Sequence, residues 1–414
     1  MTTTVAPETL TPFPLACSNC GVPHTSDRPA AICLECLGPL EVVYPADRVL
    51  PDRDTIAARP RTLWRYREWL PFEGSPVAAK DTGWTPLQEA PRVAQALGVR
   101  RAWLKLDTLS NPTLSFKDRV VTTAINAVRA FGLDAIGCAS TGNLANAVAA
   151  AAAREGIPAW IFVPHDLELA KLVGTLVYGP HLVRVRGTYD DVNRLCAQLA
   201  DEYPWGIANV NLRAYYGEGS KTMAFEIVEQ LRWQLPTAVI APMAGGSLVT
   251  KLRKGFGEFL AAGLVDGALP RIYGAQATGC SPIVKLFERG SGGIVPEIPS
   301  TIARSLAIGN PADGLAASRV LRETNGGAAA VSDDEIRDAI RELASLTGVF
   351  GETAAGVTYA GAKALARRGA LGPDDDVVIC LTGNGLKTAE ALHADLDGVP
   401  TINPRLREVE ALVN

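Results

Sequence analysis

From Arg101 onward, short apolar runs alternate with longer stretches of helical spacing, and this rhythm constrains the fold more than any other feature of the chain. RAWLKLD, from Arg101, reads as a strand. Residues 116–131 read as a helix stopped by Gly132, Ala135–Ala139 as a strand, and the Ala-rich residues 144–155 as a helix stopped by Gly156. Residues 159–163 and 182–185 read as strands, with helices at 167–178 (stopped by Gly179) and 189–203. The second half continues with helix 222–233, strand 238–241, a Gly loop and helix through Phe259, and strand 272–276. A capping box at Ser332-Asp333-Asp334-Glu335 opens a helix ending near Gly348, and the last strand is 377–381. Strands separated by helices of this length call for parallel sheets covered by helices, an α/β architecture. Helices ending on glycine fit the left-handed cap.

The residues before Arg101 break this rhythm. Two knuckles, Cys17-Ser18-Asn19-Cys20 and Cys33-Leu34-Glu35-Cys36, flank a stretch containing Gly and Pro, a spacing able to close a tetrahedral thiolate site around structural zinc. Residues 46–95, rich in Pro, Arg and Trp and without a period, read as an extended arm. The expected organisation is a zinc-ribbon-like segment at 1–45, the arm at 46–95 and a catalytic region at 96–400 with a smaller subdomain at about 118–212. A formal net charge of −4 gives no field favouring nucleic acid, and no apolar run approaches the ~20 residues of a spanning helix. The N-terminus MTTTVAPETL lacks the basic and apolar regions of a secretory signal, so a cytoplasmic location is expected. None of the four histidines falls in a nucleophile or metalloprotease motif.

Three loops of small residues follow strands. Ser140-Thr141-Gly142-Asn143 and Ala244-Gly245-Gly246-Ser247 each open a helix, and Thr382-Gly383-Asn384-Gly385 follows the last strand. In an open α/β sheet, ligands bind beyond the carboxyl ends of the strands, so these loops are expected to converge on one crevice. Each suits one part of pyridoxal phosphate. Free N–H groups at Gly245, Gly246 and Ser247, ahead of a helix, form a phosphate cradle. Asn143 can donate to the ring hydroxyl, Thr382 can pair with the ring nitrogen, and Lys117 can form the Schiff base.

The segment Asn111-Pro112-Thr113-Leu114-Ser115-Phe116-Lys117-Asp118-Arg119 resembles the threonine synthases, type II pyridoxal-phosphate enzymes related to tryptophan synthase β. So do Ser140 to Asn143, Gly217 to Thr222 followed by Ala224-Phe225-Glu226-Ile227, Ile308-Gly309-Asn310-Pro311-Ala312, and Leu381 to Lys387. The resemblance spans about residues 82–388, and the N-terminal ribbon occurs in part of the family. It implies a two-domain type II fold with Lys117 as Schiff-base lysine and catalytic residue, Asn143 as ring-hydroxyl partner and Thr382 as ring-nitrogen partner. It places the phosphate loop at Ala244, Gly245, Gly246, Ser247 and Leu248. The implied activity is conversion of O-phospho-L-homoserine and water to L-threonine and phosphate. An O-phosphoserine β-replacement enzyme, such as a cysteate synthase, and a threonine/serine dehydratase are the alternatives on the same scaffold. The partner implied is a small amino-acid phosphate, and a homodimer is left open. The chain departs from the family in four places. Leu114 stands where glycine is common, Ala-Gly-Gly-Ser-Leu replaces Gly-Asn-Ala-Gly-Asn, Asn384 replaces histidine, and Tyr216 falls where many relatives hold the substrate phosphate with arginine. Arg213 and Lys221 are the remaining candidates for that anion.

Overall fold

Two mainly parallel sheets carry the chain, and their central strands are buried on each face. In the computed structural model, which describes residues 10–25 and 27–413, the larger sheet has six strands. Their order is Gly327–Val331, Arg271–Ala277, Ala238–Pro242, Asp376–Leu381, Arg101–Leu106 and Leu87–Glu89, and only the last is antiparallel. Alternate residues point to opposite faces. Val239, Ala241, Val378 and Cys380 pack in one core with Leu252 and Phe256 of helix Ser247–Ala261. Ile240, Ile379 and Tyr273 pack in a second core with Val357 and Leu365 of helix Thr353–Arg367. Both faces being covered explains why these strands read as unbroken apolar runs. The smaller sheet is parallel throughout, in the order His181–Val185, Ala159–Pro164, Ala135–Ala139, Trp205–Ile207.

Several elements escaped the sequence reading for identifiable reasons. Helix Arg213–Ser220 contains Gly217 and Gly219, which read as loop. A Cβ on Gly219 would stand 2.4 Å from the carbonyl oxygen of Arg119, so the glycine is what lets this helix lie against helix Lys117–Ala130. Helix Thr353–Arg367 is buried nearly all round and so has no polar stripe to give it a period. Strands Trp205–Ile207 and Gly327–Val331 are too short and Gly/Ala-rich to stand out. Helix 167–178 shortens to Leu169–Leu176.

At the N-terminus, Pro23–His24, Leu15–Cys17 and Leu40–Val42 form a three-stranded antiparallel sheet. The segment 46–95 lies on the body and contributes to its core. Tyr66 and Trp69, both fully buried in the turn Leu63–Trp69, pack on Phe225 and Phe259 with ring centroids 5.2 Å apart in each pair. Short helices at Arg53–Ala57 and Pro91–Leu97 interrupt what reads from sequence as an extended arm.

The segment ahead of Lys117 is pinned to the last strand's loop. Phe116 N–H donates to Thr382 O at 2.8 Å, and Asn384 N–H donates to Leu114 O at 3.0 Å. This turn puts Leu114 at φ +57°, in the left-handed region. A residue with a Cβ pays roughly 1–2 kcal/mol there, a cost that glycine avoids. Urea denaturation of Leu114→Gly and Leu114→Ala separates this strain from lost side-chain packing, since both remove the side chain. The glycine variant is expected to be the more stable by about 1 kcal/mol. Equal stability, or a more stable alanine variant, would show that the turn is unstrained.

Candidate active site

The carboxyl ends of both sheets open on one cavity. Lys117, Asn143, Ala244, Gly245, Gly246, Ser247, Leu248 and Thr382 all line it, although they come from four separate stretches of chain. The first residue of its helix, Lys117 reaches the cavity from the turn after strand Arg101–Leu106. Its Nζ lies 3.2 Å from the Tyr216 hydroxyl. Burial lowers the Lys117 pKa to about 8, against the opposing charge of Glu352, which brings its titration within reach of neutral pH. Asp118, next in sequence, is a structural carboxylate. It accepts from Thr113 N–H at 3.1 Å and from Thr113 Oγ1 at 2.6 Å, closing the turn. Burial raises its pKa to about 6, with the Thr113 hydrogen bonds acting against that rise.

The Gly loop after strand Ala238–Pro242 turns the chain into a helix at the cavity wall. Gly246, at φ +95°, caps the fifteen-residue helix Ser247–Ala261. The N–H groups of Gly245, Gly246, Ser247 and Leu248 find no acceptor among the described residues, as expected for the first turn of a helix. A Cβ on Gly245 would meet nothing within 4 Å, so space is open above the loop. The loop is held by Asp313 N–H, which donates to Gly245 O at 2.9 Å.

The opposite wall carries a buried carboxylate that the sequence reading passed over. Glu352, 1% exposed at the start of helix Thr353–Arg367, accepts from Asn143 Nδ2 at 2.8 and 3.0 Å. This leaves Asn143 Oδ1 buried with no partner. The amide therefore offers an acceptor to a ligand, the opposite sense to the donor expected from sequence. A sequence signal existed in Gly351-Glu352-Thr353, a carboxylate at a loop-to-helix junction, but the helix behind it had no readable period. The Thr382 side chain makes no hydrogen bond among the described residues and lies at the cavity wall.

The two candidate cations separate. Arg213 lines the cavity, with Nη2 2.5 Å from Asp313 Oδ1. Lys221 does not line it. Its fully buried Nζ sits among Glu218 Oε2 at 2.6 Å, Glu258 Oε1 at 2.9 Å and the Tyr44 hydroxyl at 2.9 Å. Lys387 binds back to Thr113 O at 2.8 Å and Asn146 Oδ1 at 2.7 Å, bracing the Thr382 loop against the Lys117 segment. No histidine lines the cavity.

Away from this site, Cys17, Cys20, Cys33 and Cys36 gather at the N-terminal sheet. Their sulfur atoms all lie within 4.8 Å of one another, with separations of 3.4 Å (Cys17–Cys36), 3.5 Å (Cys20–Cys36) and 3.7 Å (Cys20–Cys33). None is in a disulfide.

Residues 79–383 match the family model described as "Pyridoxal-phosphate dependent enzyme". Among curated proteins the chain is 34% identical over 392 residues to the threonine synthase of Methanosarcina acetivorans, covering 94% of this chain and 96% of that one. It is 35% identical to the threonine synthase of Methanocaldococcus jannaschii (91% and 93% covered) and 37% identical to that of Synechocystis (83% and 89%). Among solved structures, maize serine racemase superposes with a TM-score of 0.63 at 19% identity, covering 88% of this chain and all of the other. A fungal L-serine ammonia-lyase from Rhizomucor miehei gives 0.62 at 24% identity, with 73% and 94% covered; these two speak to the fold alone. With the cavity, the strand-end loops and near-full-length similarity in agreement, the chain belongs to the pyridoxal-phosphate dependent enzymes and, within them, to the threonine synthase family.

Proposed function

We propose that this chain converts O-phospho-L-homoserine and water to L-threonine and phosphate, with Lys117 as the residue that holds the cofactor and moves protons. The observation that carries the reading is the meeting of Lys117 with three strand-end loops in one cavity. The polar groups left without partners match pyridoxal phosphate. Gly245, Gly246, Ser247 and Leu248, following Ala244, would take its phosphate, Asn143 Oδ1 the proton of its ring hydroxyl, and the Thr382 hydroxyl its ring nitrogen. When bound, the cofactor supplies an electron sink for the bonds at the substrate's Cα.

The protein's own part is proton traffic and anion binding. An amine whose pKa lies at about 8 is populated in both forms near neutrality, so Lys117 can take a proton from Cα or Cβ and return it. Glu352 keeps the Asn143 amide turned so that its oxygen faces the ligand. Arg213 carries the guanidinium fork suited to a phosphate, and Asp313 holds it at the cavity wall. Phosphate release from O-phosphohomoserine, set against O-phosphoserine, tests the substrate. Release from the former is expected in wild type and is expected to be abolished in Lys117→Ala. Preference for O-phosphoserine would replace this reading with the β-replacement one.

Thr382→Val keeps the side chain's shape and deletes its hydroxyl. A hydrogen bond lost to a buried partner costs on the order of 1–3 kcal/mol. Turnover is expected to fall roughly tenfold to a hundredfold while the cofactor stays bound, since ~1.4 kcal/mol corresponds to a factor of ten. Unchanged turnover would mean that another group faces the ring nitrogen.

The four thiols suit a structural zinc ion. A tetrahedron with Zn–S bonds of about 2.3 Å has edges of about 3.8 Å, close to the sulfur separations here. Elemental analysis is expected to find one zinc per chain, and Cys33→Ser, which breaks a closed site, to lose the metal and lower the melting temperature. Protein that is metal-free when purified without chelator would rule out this role.

A further inference from the structure

Helix Arg213–Ser220 places Arg213 and Tyr216, three residues apart, on one face toward the same cavity. The Tyr216 hydroxyl, 3.2 Å from Lys117 Nζ, is the one hydrogen-bond partner that the described residues give that amine. Among the described residues the phenol oxygen makes no other hydrogen bond, so its second contact is open to a group in the cavity. The ring is well fixed. Tyr216 N–H donates to Leu212 O at 2.9 Å, its carbonyl accepts from Thr123 Oγ1 at 3.3 Å, and Gly219 seats the whole helix on the backbone of Arg119, two residues beyond Lys117. Burial, with the nearby Cys138, pushes the phenol pKa upward against the pull of Arg213, so the group is a neutral O–H that can donate and accept at once.

We propose that Tyr216 is a further catalytic residue, a proton relay between the Lys117 amine and the water and phosphate side of the cavity. The proposal rests on the reading that Lys117 is the base at Cα. After Lys117 has taken a proton, its ammonium N–H gives that proton to the Tyr216 oxygen. The phenol's own proton passes to water or to the departing phosphate. Lys117 is again an amine, Tyr216 is again a neutral phenol, and no electrons change hands. Without the hydroxyl, the described residues leave Lys117 no hydrogen-bonded group with which to exchange its proton.

The test uses the holoenzyme as wild type, Tyr216→Phe and Tyr216→His, with melting temperature and visible cofactor absorbance as checks on fold and loading. Two readouts are followed. One is exchange of the Cα hydrogen of L-2-aminobutyrate with D2O by NMR, which requires no leaving group. The other is the pH profile of kcat and KM for phosphate release. Tyr216→Phe is expected to slow Cα exchange and kcat by about a hundredfold. KM should hold and the limb of the kcat profile that reports Lys117 should move. Tyr216→His, which keeps a proton-carrying group, is expected to recover part of the exchange. Wild-type exchange in the phenylalanine variant, a loss seen only in KM, or equal rates in the two variants would overturn the relay. Wild-type enzyme that exchanges Cα hydrogen but leaves O-phosphohomoserine intact would overturn the substrate reading and leave the relay standing. Absence of exchange in wild type would overturn Lys117 as base, and the relay with it.

Discussion

The position of Lys117 depends on a cluster of charges buried two residues further along the chain. Arg119, with no exposure, holds Asp107 through Nε at 2.7 Å and Nη2 at 2.9 Å, and Glu226 through Nη1 at 2.5 Å and Nη2 at 2.8 Å. Lys105 adds a bond to Glu226 at 2.6 Å and another to Thr85 O at 2.7 Å. Two cations and two carboxylates thus cancel inside the protein. Burial alone would raise the Glu226 pKa, yet Arg119 and Lys105 hold it down to about 2. Removing one member would strand an unpaired buried charge, which costs about 3–5 kcal/mol. The geometry matters as much as the energy. The cluster joins strand Arg101–Leu106, helix Lys117–Ala130 and helix Thr222–Gln230, so the first turn carrying Lys117 cannot shift without breaking several charged hydrogen bonds together.

A second buried cluster does the same for the opposite wall. Glu218 lies on the helix of Arg213 and Tyr216 and meets Lys221, Lys251 and Lys254 at 2.6–2.8 Å. The N-terminal sheet supplies Glu41, 3.2 Å from Lys251, and the segment just after it supplies Tyr44, whose hydroxyl donates to Glu218 at 2.6 Å. The cysteine-bearing segment is therefore tied, through Glu41 and Tyr44, to the helix that presents Tyr216 to Lys117.

The convergence of the strand-end loops was readable in the sequence. Each small-residue loop taken singly is an ordinary turn, but a parallel sheet gathers the Lys117 segment, the Gly245–Gly246 turn and Thr382 at one edge, and all three line one cavity. Leu114 was legible as a departure from the family pattern, and its φ of +57° is a conformation that glycine adopts without strain. The paired cysteines were equally plain, because ligand spacing is a local property of the chain.

The tertiary structure decided which charges face the cavity and which neutralise one another. Lys221 and Arg213 are equivalent candidates in sequence. Burial among Glu218, Glu258 and Tyr44 withdraws Lys221 from the site, and Arg213 remains in it. Glu352 and Tyr216 reach Asn143 and Lys117 across 209 and 99 residues of chain, on helices whose small buried residues give no amphipathic period. The sequence by itself determined most of the strands, the strand-end loops and the turn that carries Lys117, because periodicity and turn chemistry are local. Only the packed fold could determine the polarity of Asn143, the neighbour of the Lys117 amine and which cation faces the cavity, because each depends on desolvation and contacts between residues far apart in the chain.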